Sequence, residues 1–411
     1  MVVNTNLATP TEARAAMFSA VKGLPLQYEE ILTIDADGRV NADDIYSPQN
    51  LPNFVRSTVD GYAVIAADTE GASEHTPVQL KLTGEIDMGD GSSHQLMPGR
   101  CLLIHTGGMV PAGCDAVLML EDTHDTQDGS LLIMRRVRPG ENQIQVGEDI
   151  QTGEMVLARG KKIRPVDIGG LLSLGITKLR VAKRLRIGII SSGNEVVEPW
   201  QSASFGKVRN INSYIISSKM SEEGHQPLIY GISADDRNAL GELARRVMDV
   251  CDVLIITAGT SASYRDHTAE VFNSLGNPGV LIHGIAVKPG KPAIMGLCGN
   301  KPVFGLPGNP VSAYMNTVLF VLPALAEWLG CPATVEDWWV DGELLADVYP
   351  DEKREEWIPV RIHRLGGTTK IEPIIGKSNL IFNLSRAEGV IKIPQGAGTL
   401  KFGAIVRAYS F

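Results

Sequence analysis

Cysteine is scarce in this chain. Cys101, Cys114, Cys251, Cys298 and Cys331 are scattered through 411 residues. They form neither a CxxC pair nor a Cys/His cluster, which argues against a zinc site and a disulfide framework. We read most of them as small buried apolar residues. Positive charge is also in deficit. Lys and Arg total 38 against 47 Asp and Glu, a formal net charge of −9. Broad nucleic-acid binding wants a basic face, so it is not expected here; a local basic pocket for a small anion stays open. Long apolar runs are missing. The most apolar stretch, MNTVLFVLPALAEWL at 315–329, is short of a membrane span and carries Asn316, Pro323 and Glu327. It reads as a buried helix, and no membrane partner is expected. The opening MVVNTNLATPTEARAAMF lacks the basic-then-apolar order of a signal peptide. The expected compartment is the cytoplasm. No internal repeat or low-complexity tract is evident.

What is present suggests several domains, because 411 residues are too many for one core. Hydrophobic residues at 44% and charged residues at 21% are ordinary for a globular chain. Residues 1–46 and 154–182 read as two parts of one helical element, with Thr9-Pro10-Thr11-Glu12 as a helix start. Residues 47–153 alternate short apolar runs with Gly, Pro and Asp turns, which fits an inserted β-rich domain. Residues 183–330 alternate strand-like and helix-like segments, an α/β pattern that predicts a parallel-rich sheet covered on both faces. Residues 331–411 are strand-rich and read as a small β domain. In open α/β sheets the ligand sits beyond the carboxyl ends of the strands. SSGNE (191–195), TAGTSASYRD (257–266) and LPGNPVS (306–312) fall there.

KPGKP at 288–292 sets Lys288 and Lys291 between prolines, which fix φ and remove backbone donors. It is either a basic turn or a pair of ammonium groups aimed from a stiff loop. LPGNPVS joins a strand to a helix; Gly308 permits a tight turn, Asn309 could cap the helix and Pro310 suits its first position. Such a start offers N–H groups to an anion, or is simply a well-built junction. STVDGYAV (57–64) offers Asp60 beside a Gly turn, and VGEDI (146–150) offers Glu148 and Asp149. These carboxylates could meet and, opposite a lysine pocket, hold a metal ion against phosphates; solvated acidic turns are the plainer reading. SSGNE carries Glu195, and YRDHT (264–268) carries Asp266, which could be a helix N-cap, and His267.

STVDGYAV, HTGGMVPAGCDAV, GEDI, SSGNEV, ISADD, VKPGKP and GLPGNPVSA in this order, with a weaker echo in SNLIFNLSRAEGVIKIP, resemble the molybdopterin molybdenumtransferase family, which includes the E domain of gephyrin. The resemblance spans nearly the whole chain. It implies a four-part homodimer in which the small C-terminal domain is a β-barrel. The active cleft would lie between the α/β domain of one subunit and the inserted domain of the other. The implied reaction takes adenylylated molybdopterin and molybdate, releases AMP and leaves molybdenum on the dithiolene, with Mg²⁺ assisting. Carried over, Asp60 and Asp149 are carboxylates of the inserted domain, and Glu195 and Asp266 are acidic groups of the cleft. Asp60, Asp149 and Glu195 are the candidate metal ligands. Lys288 and Lys291 bind the oxyanion or substrate phosphate. Ser192, Gly193, Asn194, Gly259, Ser261 and Pro307 are further cofactor contacts, and Gly308, Asn309, Pro310 and Ser312 shape a pterin-phosphate cradle. A molybdopterin adenylyltransferase and acceptor molybdoenzymes or their chaperones are implied partners.

The chain departs from the family pattern in three loops. GNE stands for the usual GDE, placing Asn194 where a carboxylate is common. VRNINS gives Asn210 in place of an aspartate, and AGTSAS puts Ala258 and Ser263 at two glycine positions. One reading is an active enzyme whose loops suit another oxyanion, such as tungstate; the other is a degenerate pterin-binding or scaffold protein.

Overall fold

The computed structural model describes residues 7–89, 95–258, 262–332 and 338–410. The chain divides into two compact units, one of Met1–Asp43, Arg159–Pro165 and Lys178–Phe411, the other of Asp44–Ala158 and Val166–Thr177.

The second unit is built on a six-stranded sheet, in the order Ala116–Met119, Gly61–Val64, Arg100–Ile104, Val78–Ile86, Ser130–Ile133, Thr123–Asp125. Successive side chains of a strand face opposite ways. Val64 accordingly packs with Leu80, Leu118 and Leu131, while Ala63 packs with Ile86, Leu102 and Ile104. Gly61 is not the turn residue that the Asp60-Gly61 pair suggests. It opens a strand flanked on both sides, and a Cβ there would lie 1.9 Å from the Leu118 carbonyl oxygen. Only glycine lets the strands approach this closely.

Within residues 1–46 the described α-helix is Pro10–Val21, with one short 3-10 turn at Thr33–Asp35. Thr9 and Glu12 form a reciprocal capping box at the start of the helix. Beyond it, Tyr28–Leu32 pairs antiparallel with Lys178–Ala182, so the second helical stretch also ends in a strand. The charged run YEEIL alternates in burial, which a strand accommodates and a helix face would not.

The α/β part runs β1 (Arg186–Ser192), α1 (Asn212–Glu222), β2 (Gln226–Ser233), α2 (Arg237–Val250), β3 (Val253–Ala258), α3 (Ala262–Leu275), β4 (Pro278–His283), β5 (Ile294–Cys298), β6 (Lys301–Leu306) and α4 (Pro310–Leu329). Strand order is β2-β1-β3-β6-β5-β4. The first four are mutually parallel, and β5 and β4 extend the sheet antiparallel. The order reverses between β1 and β3, which marks their carboxyl ends as the binding crevice of such a sheet. Ile187–Ser192 of β1 and Val253–Thr257 of β3 are buried because helices cover both faces. In α2, Leu240, Ala244 and Val247 recur at helical spacing and are buried, and the Asp236 carboxylate accepts the Ala239 N–H at 2.9 Å as N-cap.

α4 is long and apolar enough to cross a membrane by length and composition, yet 78% of its apolar window is buried within the protein. It changes winding at Thr317–Val321, where one π-helical turn interrupts two α-helical stretches.

β7 (Trp339–Leu344), β8 (Glu355–Leu365), β9 (Thr368–Pro373), β10 (Gly389–Ile393) and β11 (Ile405–Ser410) close into a barrel in the order β8-β9-β7-β11-β10-β8. Closure removes sheet edges. The short strand Val287–Lys288 of the α/β part adds in parallel to the start of β8.

Candidate functional site

That added strand decides where the KPGKP loop lies. Lys288 is in register with Glu356, and its Nζ sits 2.8 Å from Glu356 Oε1. Glu356 is 8% exposed, and its Oε2 also accepts the Asp351 N–H at 2.7 Å. Half of the expected two-lysine clamp is therefore already partnered by a carboxylate that sequence reasoning missed. The loop is stiffened from behind. Asn316, fully buried in α4, donates its Nδ2 to the Gly290 carbonyl at 3.1 Å. Gly290 has φ +120°, and a Cβ there would come within 2.6 Å of Asn316 Nδ2. The signal was visible as an asparagine inside an apolar run, without indicating what it held.

The turn after β6 meets the same loop. Pro310 takes the first helical position of α4, as its fixed φ favours. Asn309 does not cap the helix through its side chain. Its Nδ2 instead donates to Ser378 Oγ at 3.1 Å, and the Val311 N–H donates to the Ser378 carbonyl at 3.1 Å. The helix start thus gives up an expected anion donor to a neighbouring loop. The Gly308 carbonyl accepts Asn212 Nδ2 at 2.9 Å. Together these segments line a cavity of about 580 Å³ that brings Lys288, Lys291, Pro307, Asn309 and Ser312 against Arg354, Lys377 and Ser378. Arg354 is held by Asp351, whereas Lys291 and Lys377 have no ion pair with another described residue. The C-terminal barrel segment therefore helps to build the cavity; SNLIFNLS was its only trace in the sequence.

At the carboxyl end of β1, Ser192 is buried and donates its Oγ to the Ala234 carbonyl at 3.3 Å, and the Gly193 N–H reaches the Ser233 carbonyl at 3.3 Å. Asn194 Oδ1 accepts the Asp235 N–H at 3.2 Å. Asp235, which sequence reasoning left out of the site, has a buried Oδ1 without a partner among the described residues. A buried carboxylate oxygen needs a donor or cation. Its only sequence signal was the ISADD match. Glu195 is half-buried beside this group, its carbonyl accepting the Val208 N–H at 2.9 Å. Asn210 is 3% exposed; its Oδ1 accepts Ser191 Oγ at 2.8 Å and the Ser213 N–H at 3.3 Å, while its Nδ2 is buried and unpaired among the described residues. An aspartate could accept both bonds, so the amide preserves the network and exchanges a charge for a spare donor. Gly259 and Ser261 lie outside the described residues. Asp266 falls inside α3, which begins at Ala262, so it is not the N-cap; its side chain is likewise outside the described residues.

In the other unit, Asp60 Oδ1 accepts the Thr106 N–H at 2.8 Å and Thr106 Oγ1 at 3.2 Å. The backbone bond, then the hydroxyl, hold its carboxyl below the usual range. His105 Nε2 lies 2.8 Å from Glu85 Oε1 and its Nδ1 3.7 Å from Asp60 Oδ1. The Glu85 hydrogen bond raises the His105 pKa. Asp149 is exposed, and its N–H donates to the Leu51 carbonyl at 3.0 Å. No group of three or more His, Cys, Asp or Glu side chains able to hold a metal occurs among the described residues.

Three family descriptions match the chain in order: MoeA N-terminal region (domain I and II) over residues 8–175, probable molybdopterin binding domain over 188–327, and MoeA C-terminal region (domain IV) over 341–411. A protein of Methanocaldococcus jannaschii named for molybdopterin biosynthesis is 34% identical over 93% of this chain and 92% of its own. A molybdopterin molybdenumtransferase of Staphylococcus epidermidis is 28% identical over 94% of this chain and 93% of its own. The crystal structure of a molybdopterin biosynthesis MoeA protein from Pyrococcus horikoshii superposes with a TM-score of 0.85 at 29% identity, covering 99% of this chain and all of that one. With motifs, fold and cavity in agreement along the whole length, the chain belongs to the MoeA family of molybdopterin molybdenumtransferases.

Proposed function

We propose that this chain is a transferase of molybdenum cofactor biosynthesis that inserts metal from molybdate, or tungstate, into adenylylated molybdopterin and releases AMP. The observation that carries the reading is the 580 Å³ cavity, where Lys288, Lys291 and Lys377 face the glycine-proline turn ending in Ser312. A phosphate-bearing substrate needs that combination of fixed shape and positive charge. Lys291 would neutralise an incoming phosphate or oxyanion. Lys288 carries less net attraction because Glu356 already balances it. Ser312 would offer a hydroxyl, and the Asn212 and Asn316 amides hold the two backbone loops in place.

Mg²⁺ fits the donor chemistry, because it binds through one or two carboxylates and substrate phosphates rather than an all-protein cage. Asp60, Asp149 and Glu195 are the oxygen donors that would hold it, and it would neutralise phosphate charge when bound. The family resemblance supports a homodimer in which the second subunit supplies Asp60 and Asp149. The protein acts in the cytoplasm, receives its substrate from a molybdopterin adenylyltransferase and passes product to molybdoenzymes or their chaperones. The substitutions at 194 and 210 keep acceptors where their partners need them, which supports an active enzyme over a scaffold. The test is AMP release from adenylylated molybdopterin with Mg²⁺, titrating molybdate and tungstate separately. Release with either supports the reading; retained substrate without release overturns it.

A further inference from the structure

α4 carries a second cavity on its other face. Ser312 lines the first cavity and Asn316, one turn on, supports its loop. Tyr314, Val318, Leu322 and Ala326, each four residues from the last, line the wall of a separate cavity of about 550 Å³. Residues at that spacing share a helix face. The same cavity is also lined by the polar residues Lys162, Lys219, Glu222, Glu223 and His225. Lys219 lies in the last turn of α1, and Glu223 and His225 lie between its end and the start of β2, away from the strand ends that carry Ser192 and Asn194.

The polar residues pair two ammonium groups with two carboxylates that differ in exposure. Glu223 bridges two ammonium groups, with Lys162 at 3.2 Å and Lys219 at 3.1 Å. The side chain of Glu222, 3.2 Å from Lys219, is 67% exposed, so water screens its share. Lys219, 11% exposed, is the charge most shielded from water, and Glu222 is the least shielded, so the inner face is biased toward positive charge. His225 adds a second, independent sign. It is 7% exposed, lines the cavity, and its ring has no hydrogen-bond partner among the described residues. Burial favours its neutral form, which presents one donor and one acceptor. Ligand cavities of this size are mostly apolar with a few convergent polar groups.

We propose that this cavity is a binding site for a small amphipathic organic monoanion, its apolar body lying along Tyr314, Val318, Leu322 and Ala326 and its carboxylate or sulfonate head reaching Lys162, Lys219 and His225. The proposal does not depend on the transferase reading, because its readout is binding.

The experiment uses the full native chain and the fluorescent anion 8-anilinonaphthalene-1-sulfonate. Saturable binding at one site per chain is expected. Octanoate should displace the probe, and octylamine, equally long but cationic, should not. Lys219→Gln should weaken binding at least fivefold, and Ala326→Trp should abolish the saturable component by filling the cavity. Lys291→Ala, at the other cavity, should retain it. If Ala326→Trp does not fold, Lys219→Gln and the competition pair still decide. Non-saturating fluorescence, equal displacement by octanoate and octylamine, or unchanged affinity in Lys219→Gln would each overturn the proposal.

Discussion

Glu356→Gln tests how charge is divided in the lysine loop. In the native chain Glu356 Oε1 lies 2.8 Å from Lys288 Nζ. Unit charges about 4 Å apart attract by roughly 4 kcal/mol at an effective dielectric of 20. The Lys288 side chain is 42% exposed, so solvent takes most of that, and about 1 kcal/mol is the realistic release. Freed from its carboxylate, Lys288 should bind AMP about fivefold more tightly, since about 1.4 kcal/mol is tenfold. Glutamine can still accept the Asp351 N–H through its carbonyl, so the fold should lose little. Lys288→Ala is the converse. It leaves a nearly buried Glu356 short of a partner, which should cost up to about 3 kcal/mol of stability and weaken AMP binding. Calorimetric titration with AMP at two salt concentrations, with thermal melts alongside, reads both effects. If Glu356→Gln leaves affinity unchanged or lowers it while the melting temperature holds, Lys288 does not act as an anion ligand restrained by Glu356, and the charge argument fails.

Other perturbations bear on the same account. Lys291→Ala should weaken AMP binding by about 1 kcal/mol or more, the scale of one charge-assisted hydrogen bond; unchanged titration curves would remove Lys291 from the site. Asn194→Asp should keep the bond from the Asp235 N–H but set a second carboxylate beside Asp235, raising the molybdate concentration needed for half-maximal AMP release; faster turnover would instead show that the native amide impairs the site. His225 is buried neutral, its pKa pushed down by burial from the ordinary 6.5 to about 4. The unfolded chain therefore binds the extra proton first as pH falls. His225 stabilises the fold above about pH 6.5, and that contribution, at most about 3 kcal/mol, is lost on acidification toward pH 4. His225→Gln should flatten this part of the denaturation profile relative to wild type; parallel profiles would count against a buried neutral imidazole.

Local chemistry explains what the sequence could reveal. The α/β part was legible because buried parallel strands make continuous apolar runs, as in RIGII and VLIIT, and helices between them keep their spacing, as Leu240, Ala244 and Val247 do. KPGKP and LPGNPVS were legible as loops because proline and glycine punctuate them. Contacts made across long sequence separations were not legible. Glu356 reaches Lys288 only because Val287–Lys288 pairs with the start of β8, and nothing local announces that pairing. Ser378 takes over groups expected to serve the helix start for the same reason. The N-cap alternative for Asp266 fails because the α3 boundary lies four residues earlier, at Ala262. Asn210 and Asn194 looked like losses of charge, whereas the acceptor oxygen each keeps is what its neighbours use.

The central claim is that the cavity lined by Lys288, Lys291 and Ser312 holds the anionic substrate. The most direct measurement is a crystal structure of the protein grown with adenylylated molybdopterin, Mg²⁺ and tungstate, with tungsten located by its anomalous scattering and the phosphates by density. The account predicts phosphate density against Lys291 and Ser312, with the tungsten peak in the same cleft. Phosphates bound elsewhere, with this cavity holding only solvent, would contradict it.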